Sequence, residues 1–180
     1  MIAPRPVVPQ SLDKRLVNMA LLVALGVILH RVEALLPLPT PWIKLGLANV
    51  MTLLALVFLG FKEALVVTGV RIFLGSIIGG TFLGPTFFLS FTGGLAAILA
   101  MALVYRRGSG PFSLIGVSVI GATTHVLAIT FSVYFVFIRQ DAFLHLLPIF
   151  LSLALISGIL TGIAGNILSA RLTEANVTFR

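Results

Sequence analysis

The sequence predicts an all-α fold: a polytopic membrane bundle of about six transmembrane helices, with both termini cytoplasmic. Three observations lead to that fold. Charged residues make up 9% of the chain and hydrophobic residues 59%, whereas soluble domains carry about 25% charged residues. Mean hydropathy is +1.17, leaving too few polar side chains to clothe a water-facing surface. The apolar residues also fall into runs close to the ~20 residues needed to cross a bilayer, broken by short turns of Gly, Pro and charged residues.

Taken in order, residues 1–15 read as a cytoplasmic tail rich in proline and ending in Asp13-Lys14-Arg15. The first helix follows from Leu16 to about Leu36. A basic start before an apolar run resembles a signal peptide, but the run has no small-residue cleavage site and ends in His30-Arg31-Val32-Glu33, so a retained helix is expected. Pro37, Pro39 and Pro41 stop it, because proline lacks the N–H and disfavours helix in the residue before it. Leu36–Lys44 is then an outer loop, with Trp42 at interfacial depth. The second helix is expected over Leu45–Gly60 and the third over Glu63–Gly80, joined by the charged turn Phe61-Lys62-Glu63. A turn at Thr81–Pro85 leads to the fourth, Thr86–Tyr105, which ends at Arg106-Arg107. Gly108–Pro111 is a turn, Ser113–Ile138 the fifth helix, Arg139-Gln140-Asp141 a turn and Phe143–Ala170 the sixth helix. The membrane domain thus spans residues 16–170, and 171–180 form a second polar tail.

Orientation follows from the basic residues. Arg5, Lys14, Arg15, Lys62, Arg106, Arg107, Arg171 and Arg180 fall on one side, and Arg31, Lys44 and Arg139 on the other. The richer side is cytoplasmic. The net charge of +7 does not indicate a nucleic-acid surface, because these residues are dispersed at the ends of apolar runs. With no cysteine, disulfides, thiolate metal sites and thiol nucleophiles are excluded. No phosphate-cradling G-x-x-x-x-G-K-[ST] loop is present, nor an H-E-x-x-H or G-x-S-x-G element. Aspartate occurs only at 13 and 141, so the clustered carboxylates of magnesium–diphosphate chemistry are missing. No catalytic residue, metal site or cofactor is expected.

The residues that remain for chemistry are few. Arg71 lies mid-way along the third helix with no acidic residue in its own apolar run. A guanidinium at the bilayer centre costs roughly 3 kcal/mol on insertion scales, so it either ties down helix carbonyls or lines a polar cavity. Glu33, outer-loop carbonyls or an anionic or electron-rich ligand are its candidate partners. His30 and Glu33 share a face at i, i+3, either as a pair or as the rim of an outward-facing pocket. Asn49, one turn into the second helix, is either interhelical glue or a ligand contact. His125 lies mid-helix with Gly121 one turn before it, a spacing that opens room beside the imidazole. Trp42 and Lys44 complete the candidate substrate-binding set from the outer loop. Small residues at Ala20-x3-Ala24, Gly75-x3-Gly79 and Ser157-x3-Thr161-x3-Gly165 mark faces where helix backbones approach closely.

The stretch PWIKLGLANVMTLLALVFLGFKEALVVTGVRIFLGSIIGG, residues 41–80, resembles the Gx transporter family, whose members are also called heptaprenyl diphosphate synthase component I. The L-G-L-A-N-V pattern followed by a helix with a central arginine carries most of the likeness. More distantly, the layout resembles the substrate-binding S components of energy-coupling-factor transporters. That resemblance implies six helices in a bacterial cytoplasmic membrane, a first outer loop that lids the ligand, and an Ala-x3-Ala face, here Ala20 and Ala24, that docks a membrane coupling subunit with ATPases. The implied function is uptake of a cofactor precursor or small metabolite, the subunit toppling in the bilayer when its partner engages. Two alternatives stay open: an accessory membrane subunit of heptaprenyl diphosphate synthase, and a module of a quinone or flavin electron-transfer pathway.

Overall fold

A computed structural model describes residues 12–35, 46–107 and 113–174. It is all-helical: α1 (Leu12–Leu35), α2 (Leu47–Phe58), α3 (Phe61–Ile78), α4 (Pro85–Arg107), α5 (Leu114–Ser132), a one-turn α6 (Asp141–Leu144) and α7 (Leu147–Glu174). The expected outer loop, with Trp42 and Lys44, lies outside the described residues, as do most of the two tails.

Local chemistry sets the boundaries. Gly46 (φ 74°) precedes α2 and Gly60 (φ 107°) separates α2 from α3, both in backbone conformations that favour glycine. They trim the second helix from the expected Leu45–Gly60 to Leu47–Phe58. Pro85 opens α4 at the position where its missing N–H costs nothing. Ser113 caps α5, its hydroxyl accepting from the Gly116 N–H at 3.2 Å. The expected fifth helix continues beyond Ser132 only as a π-helical turn, Val133–Ile138, which stops at Arg139 (φ 46°). The expected sixth helix is broken into α6 and α7.

Among the described residues there are six helices of 12 or more residues, but they are not six equivalent spans. The segments Asp13–Glu33, Pro85–Tyr105, Leu114–Ile138 and Asp141–Glu174 are long and apolar enough to cross a membrane. At 12 residues α2 is roughly 18 Å long, short of the ~30 Å hydrocarbon core. The 18-residue α3 carries Lys62, Glu63 and Arg71.

The helices pack as a ring, in the order α1, α2, α7, α5, α4, α3 and back to α1, with α2 also against α3. Most of α2 is buried, from Val50 to Leu56 and at Ala48, as expected of a helix apolar on every side. Polar side chains are gathered inside beside an apolar core, and large apolar side chains also face outward. Glu33, Thr52, Thr68, Arg71, Ser76, Ser90, Ser118, Thr130, Ser157 and Thr161 are buried, while Leu16, Ile28, Phe73, Leu99, Phe135, Ile156 and Ile167 are exposed. Such a surface suits lipid.

The tightest crossing joins α5 and α7. A Cβ on Gly158 would lie 2.8 Å from the Val119 Cα, and one on Gly162 2.7 Å from the Ile115 Cα, so the two backbones touch there. The small-residue row Ser157, Thr161 and Gly165 lies beside this crossing. Of these, Gly165 faces Leu53 of α2, and Ser157 and Thr161 turn inward. Gly75-x3-Gly79 on α3 receives α1: Gly75 lies under the His30 ring and Gly79 under the Arg31 guanidinium. Arg31 therefore packs along the end of α3. At the opposite end of α1, Arg15 donates to Glu63 at 2.5 Å and to the Leu59 carbonyl at 3.4 Å, tying α1 to the α2–α3 turn.

Candidate functional site

The ring encloses a cavity. Its volume is about 40 Å³. At 10–15 Å³ per water, this holds about three water molecules. His30 and Glu33 of α1, Gly46 before α2, Asn49 of α2, Arg71 and Ile72 of α3, Ser90 and Met101 of α4, Ser118, Gly121, Ala122, His125 and Val126 of α5, and Ser157 and Thr161 of α7 line it.

Arg71 is only 5% exposed. Its path into the bundle is opened by Gly26 of α1, where a Cβ would lie 2.6 Å from the Arg71 Cδ. The terminal Nη2 donates to the Asn49 Oδ1 at 3.3 Å, and the buried Nε has no hydrogen-bond partner. Glu33, 3% exposed, supplies the opposing charge that acts on the guanidinium. One Glu33 oxygen accepts the Gly46 N–H at 2.5 Å, binding the end of α1 to the start of α2. The positive end of the α2 dipole favours a carboxylate at that point.

Across the ring, α5 and α7 contribute hydroxyls. Ser118 and Thr161 are 2.8 Å apart. Thr161 donates to the carbonyls of Ser157 (2.8 Å) and Gly158 (3.2 Å), and Ser157 donates to that of Ala154 (3.2 Å). His125 sits over Gly93 of α4, where a Cβ would come within 2.8 Å of Cε1 and 2.9 Å of Nδ1. The expectation for Gly121 is corrected here: Met101 fills the space beside it, at 2.7 Å from a Cβ, and Gly93 is the glycine that accommodates the imidazole.

Five of the seven expected site residues, Arg71, Asn49, His125, His30 and Glu33, thus line one cavity, and Trp42 and Lys44 lie outside the described residues. Ala20 and Ala24 are exposed on α1, in one row with Leu16, Ile28 and Val32. Ser90, Ser118 and the glycines at 26 and 93 escaped the sequence reading. Single hydroxyls and glycines are common in membrane helices, and no local spacing distinguishes these. Thr52, which follows Asn49 at i+3, turns away from the cavity and pairs with Thr68 of α3 at 3.1 Å.

The family model described as heptaprenyl diphosphate synthase component I matches residues 22–168. The chain belongs to that family. No curated protein matches it. Among solved structures it is similar to the chain reported under "Structure and mechanism of the S component of a bacterial ECF transporter", with a TM-score of 0.72 and 22% identity over 91% of this chain and 98% of that one. At that identity the likeness establishes a shared fold. This member of the component I family therefore shares the fold of that S component.

Proposed function

We propose that this protein is the membrane-embedded substrate-binding subunit of an importer for a cofactor precursor or another small metabolite. The observation that carries the reading is Arg71: a guanidinium buried inside an apolar bundle, its Nε unpartnered, on the wall of a polar cavity. A charge in that position is retained where it has work to do. The S-component fold supports the same reading.

On this reading both termini are cytoplasmic and the cavity opens outward. Ligand would enter under the expected outer loop, Leu36–Lys44, with Lys44 as a positive charge and Trp42 as a stacking partner. An anionic or electron-rich group meets Arg71 and Asn49, with His30, Glu33 and His125 around it. Ala20 and Ala24 are exposed and available to a membrane coupling subunit that brings the ATPases, for which this chain has no motif of its own. Gentle extraction followed by native mass spectrometry is expected to show a bound small molecule, and a coupling subunit with paired ATPases is expected to copurify. Arg71→Ala should abolish retention of the small molecule; unchanged affinity would remove Arg71 from the site.

The family description favours a second reading, an accessory membrane subunit of heptaprenyl diphosphate synthase. It predicts copurification of a soluble, aspartate-rich prenyltransferase subunit, since this chain has aspartate only at 13 and 141. A role in quinone or flavin electron transfer would show as a chromophore in the absorption spectrum of the purified protein.

A further inference from the structure

The geometry points to a ligand that is neutral overall yet two-ended, a small molecule with a carboxylate at one end and N–H donors at the other, and we propose an amino-carboxylate as its class. This rests on the binding-subunit reading above and narrows its substrate.

The donors of the cavity are concentrated on one side. The Nε–H and Nη2–H of an arginine form one edge of the planar fork, matched to the two oxygens of a carboxylate. In Arg71 that edge has a vacant Nε and a single long bond from Nη2, 3.3 Å, to Asn49. Because Asn49 accepts through Oδ1, its amide N–H groups remain as donors beside the same edge.

Across the cavity the hydroxyls of α5 and α7 lie beside His125, whose imidazole can accept or donate. Each hydroxyl has one proton, and those of α5 and α7 are spent inside the bundle. Thr161 gives its proton to backbone carbonyls of α7, and so does Ser157. In the 2.8 Å contact between Ser118 and Thr161, Ser118 is the donor when Thr161 keeps its proton on the α7 carbonyls. What Ser118, Ser157 and Thr161 still offer the cavity is lone pairs, which recognise N–H. Arg71 of α3 and the hydroxyls of α5 and α7 stand on different parts of the ring, with Asn49 of α2 between them: the Asn49 Nδ2 and the Thr161 Cγ2 each lie 3.6 Å from the Cβ position of Gly46.

The charge count points the same way. Arg71 is already balanced by Glu33, 3% exposed and on the same cavity. With only Arg71 and Glu33 counted, a simple anion adds a negative charge beside that carboxylate in a low-dielectric interior, whereas a zwitterion leaves their sum unchanged.

The test uses three length-matched probe sets on the full chain in detergent, by calorimetry or equilibrium dialysis. Glycine, β-alanine, 4-aminobutyrate and 4-aminobenzoate are compared with acetate, propionate, butyrate and benzoate, and with methylamine, ethylamine, propylamine and aniline. At least one amino-carboxylate is expected to bind tenfold or more tightly than both of its matched partners, as in sites built to hydrogen-bond a group that the analogue lacks. Thr161→Val should erase that advantage while leaving the weak affinity for the carboxylate alone; Ser118→Ala serves if that variant does not fold. Equal binding of the plain carboxylate, preference for the amine, or no binding by any probe overturns the proposal. A copurified molecule without a carboxylate would sink this inference and leave the importer reading standing. Absence of both copurified ligand and coupling subunit would count against the importer reading itself.

Discussion

Gly162→Ala tests whether the α5–α7 crossing is as close as its geometry requires. The new Cβ would lie 2.7 Å from the Ile115 Cα and 3.1 Å from the Ser118 Cβ. Carbon atoms rest at about 3.5–4.0 Å, so the two helices must part by roughly 1 Å. The nearest obstacle is backbone, which cannot rotate out of the way as a long side chain can. Overpacking of this kind costs about 1–3 kcal/mol, set against a gain of about 1 kcal/mol from replacing a mid-helix glycine. The second term can be removed by comparison with Gly69→Ala. Gly69 is also mid-helix, in α3, and nothing lies within 4 Å of its Cβ position. Propensity cancels between the two variants, so the difference of about 1–3 kcal/mol reports the clash alone. Both variants and the parent would be unfolded by heat or by denaturing detergent from the same mild micelle. Gly69→Ala is expected to be at least as stable as the parent, and Gly162→Ala less stable than Gly69→Ala. If the two variants melt together, α5 and α7 do not touch at this point, and the Ser118–Thr161 bond at the same crossing falls with that conclusion.

Four other changes follow from the same coordinates. Gly46→Ala places a side chain at φ 74° and should cost about 1 kcal/mol, read from the same melts. Thr68→Val removes the buried 3.1 Å link between α2 and α3 and should cost about 0.6 kcal/mol, the usual worth of a hydrogen bond between membrane helices. Arg15→Gln breaks the Glu63 bridge; with the arginine side chain half exposed, the loss should stay below about 1 kcal/mol and shrink in high salt. Gly26→Ala brings a Cβ within 2.6 Å of the Arg71 Cδ, and should deplete the copurified small molecule in native mass spectra while leaving the melting point nearly unchanged, because the flexible arginine moves rather than the helix.

The fold was legible because lipid imposes a simple rule: long apolar runs must be helices, and punctuation between them must be turns. The boundaries at Pro85 and Ser113 followed the rule closely. It failed at α2, where a run of adequate length is clipped by Gly46 and Gly60, and beyond Ser132, where apolar residues continue but the helix changes pitch. Arg71, Asn49, His30, Glu33 and His125 stood out because polar groups are costly in hydrocarbon. Their common destination did not stand out, since it depends on the ring order of helices far apart in sequence. Gly26 and Gly93 were unreadable for a related reason. Each is defined by the side chain of another helix that needs its space.

The cavity itself traces to the shortness of α2. Arg71 lies seven residues before the end of α3, roughly 10 Å below it. Asn49, which meets Arg71, is only the third residue of α2, so α2 begins roughly 3 Å above that level. The second helix therefore begins about 7 Å short of the end of its neighbour α3, on the side where Arg71, His30 and Glu33 line the cavity. A helix that started higher would fill that space with apolar side chains and strand the guanidinium. It would also lift the Gly46 N–H away from Glu33, which holds it at 2.5 Å. Gly46 thus does more than turn the chain: by fixing where α2 begins, it sets both the depth of the cavity and the position of the carboxylate that balances Arg71.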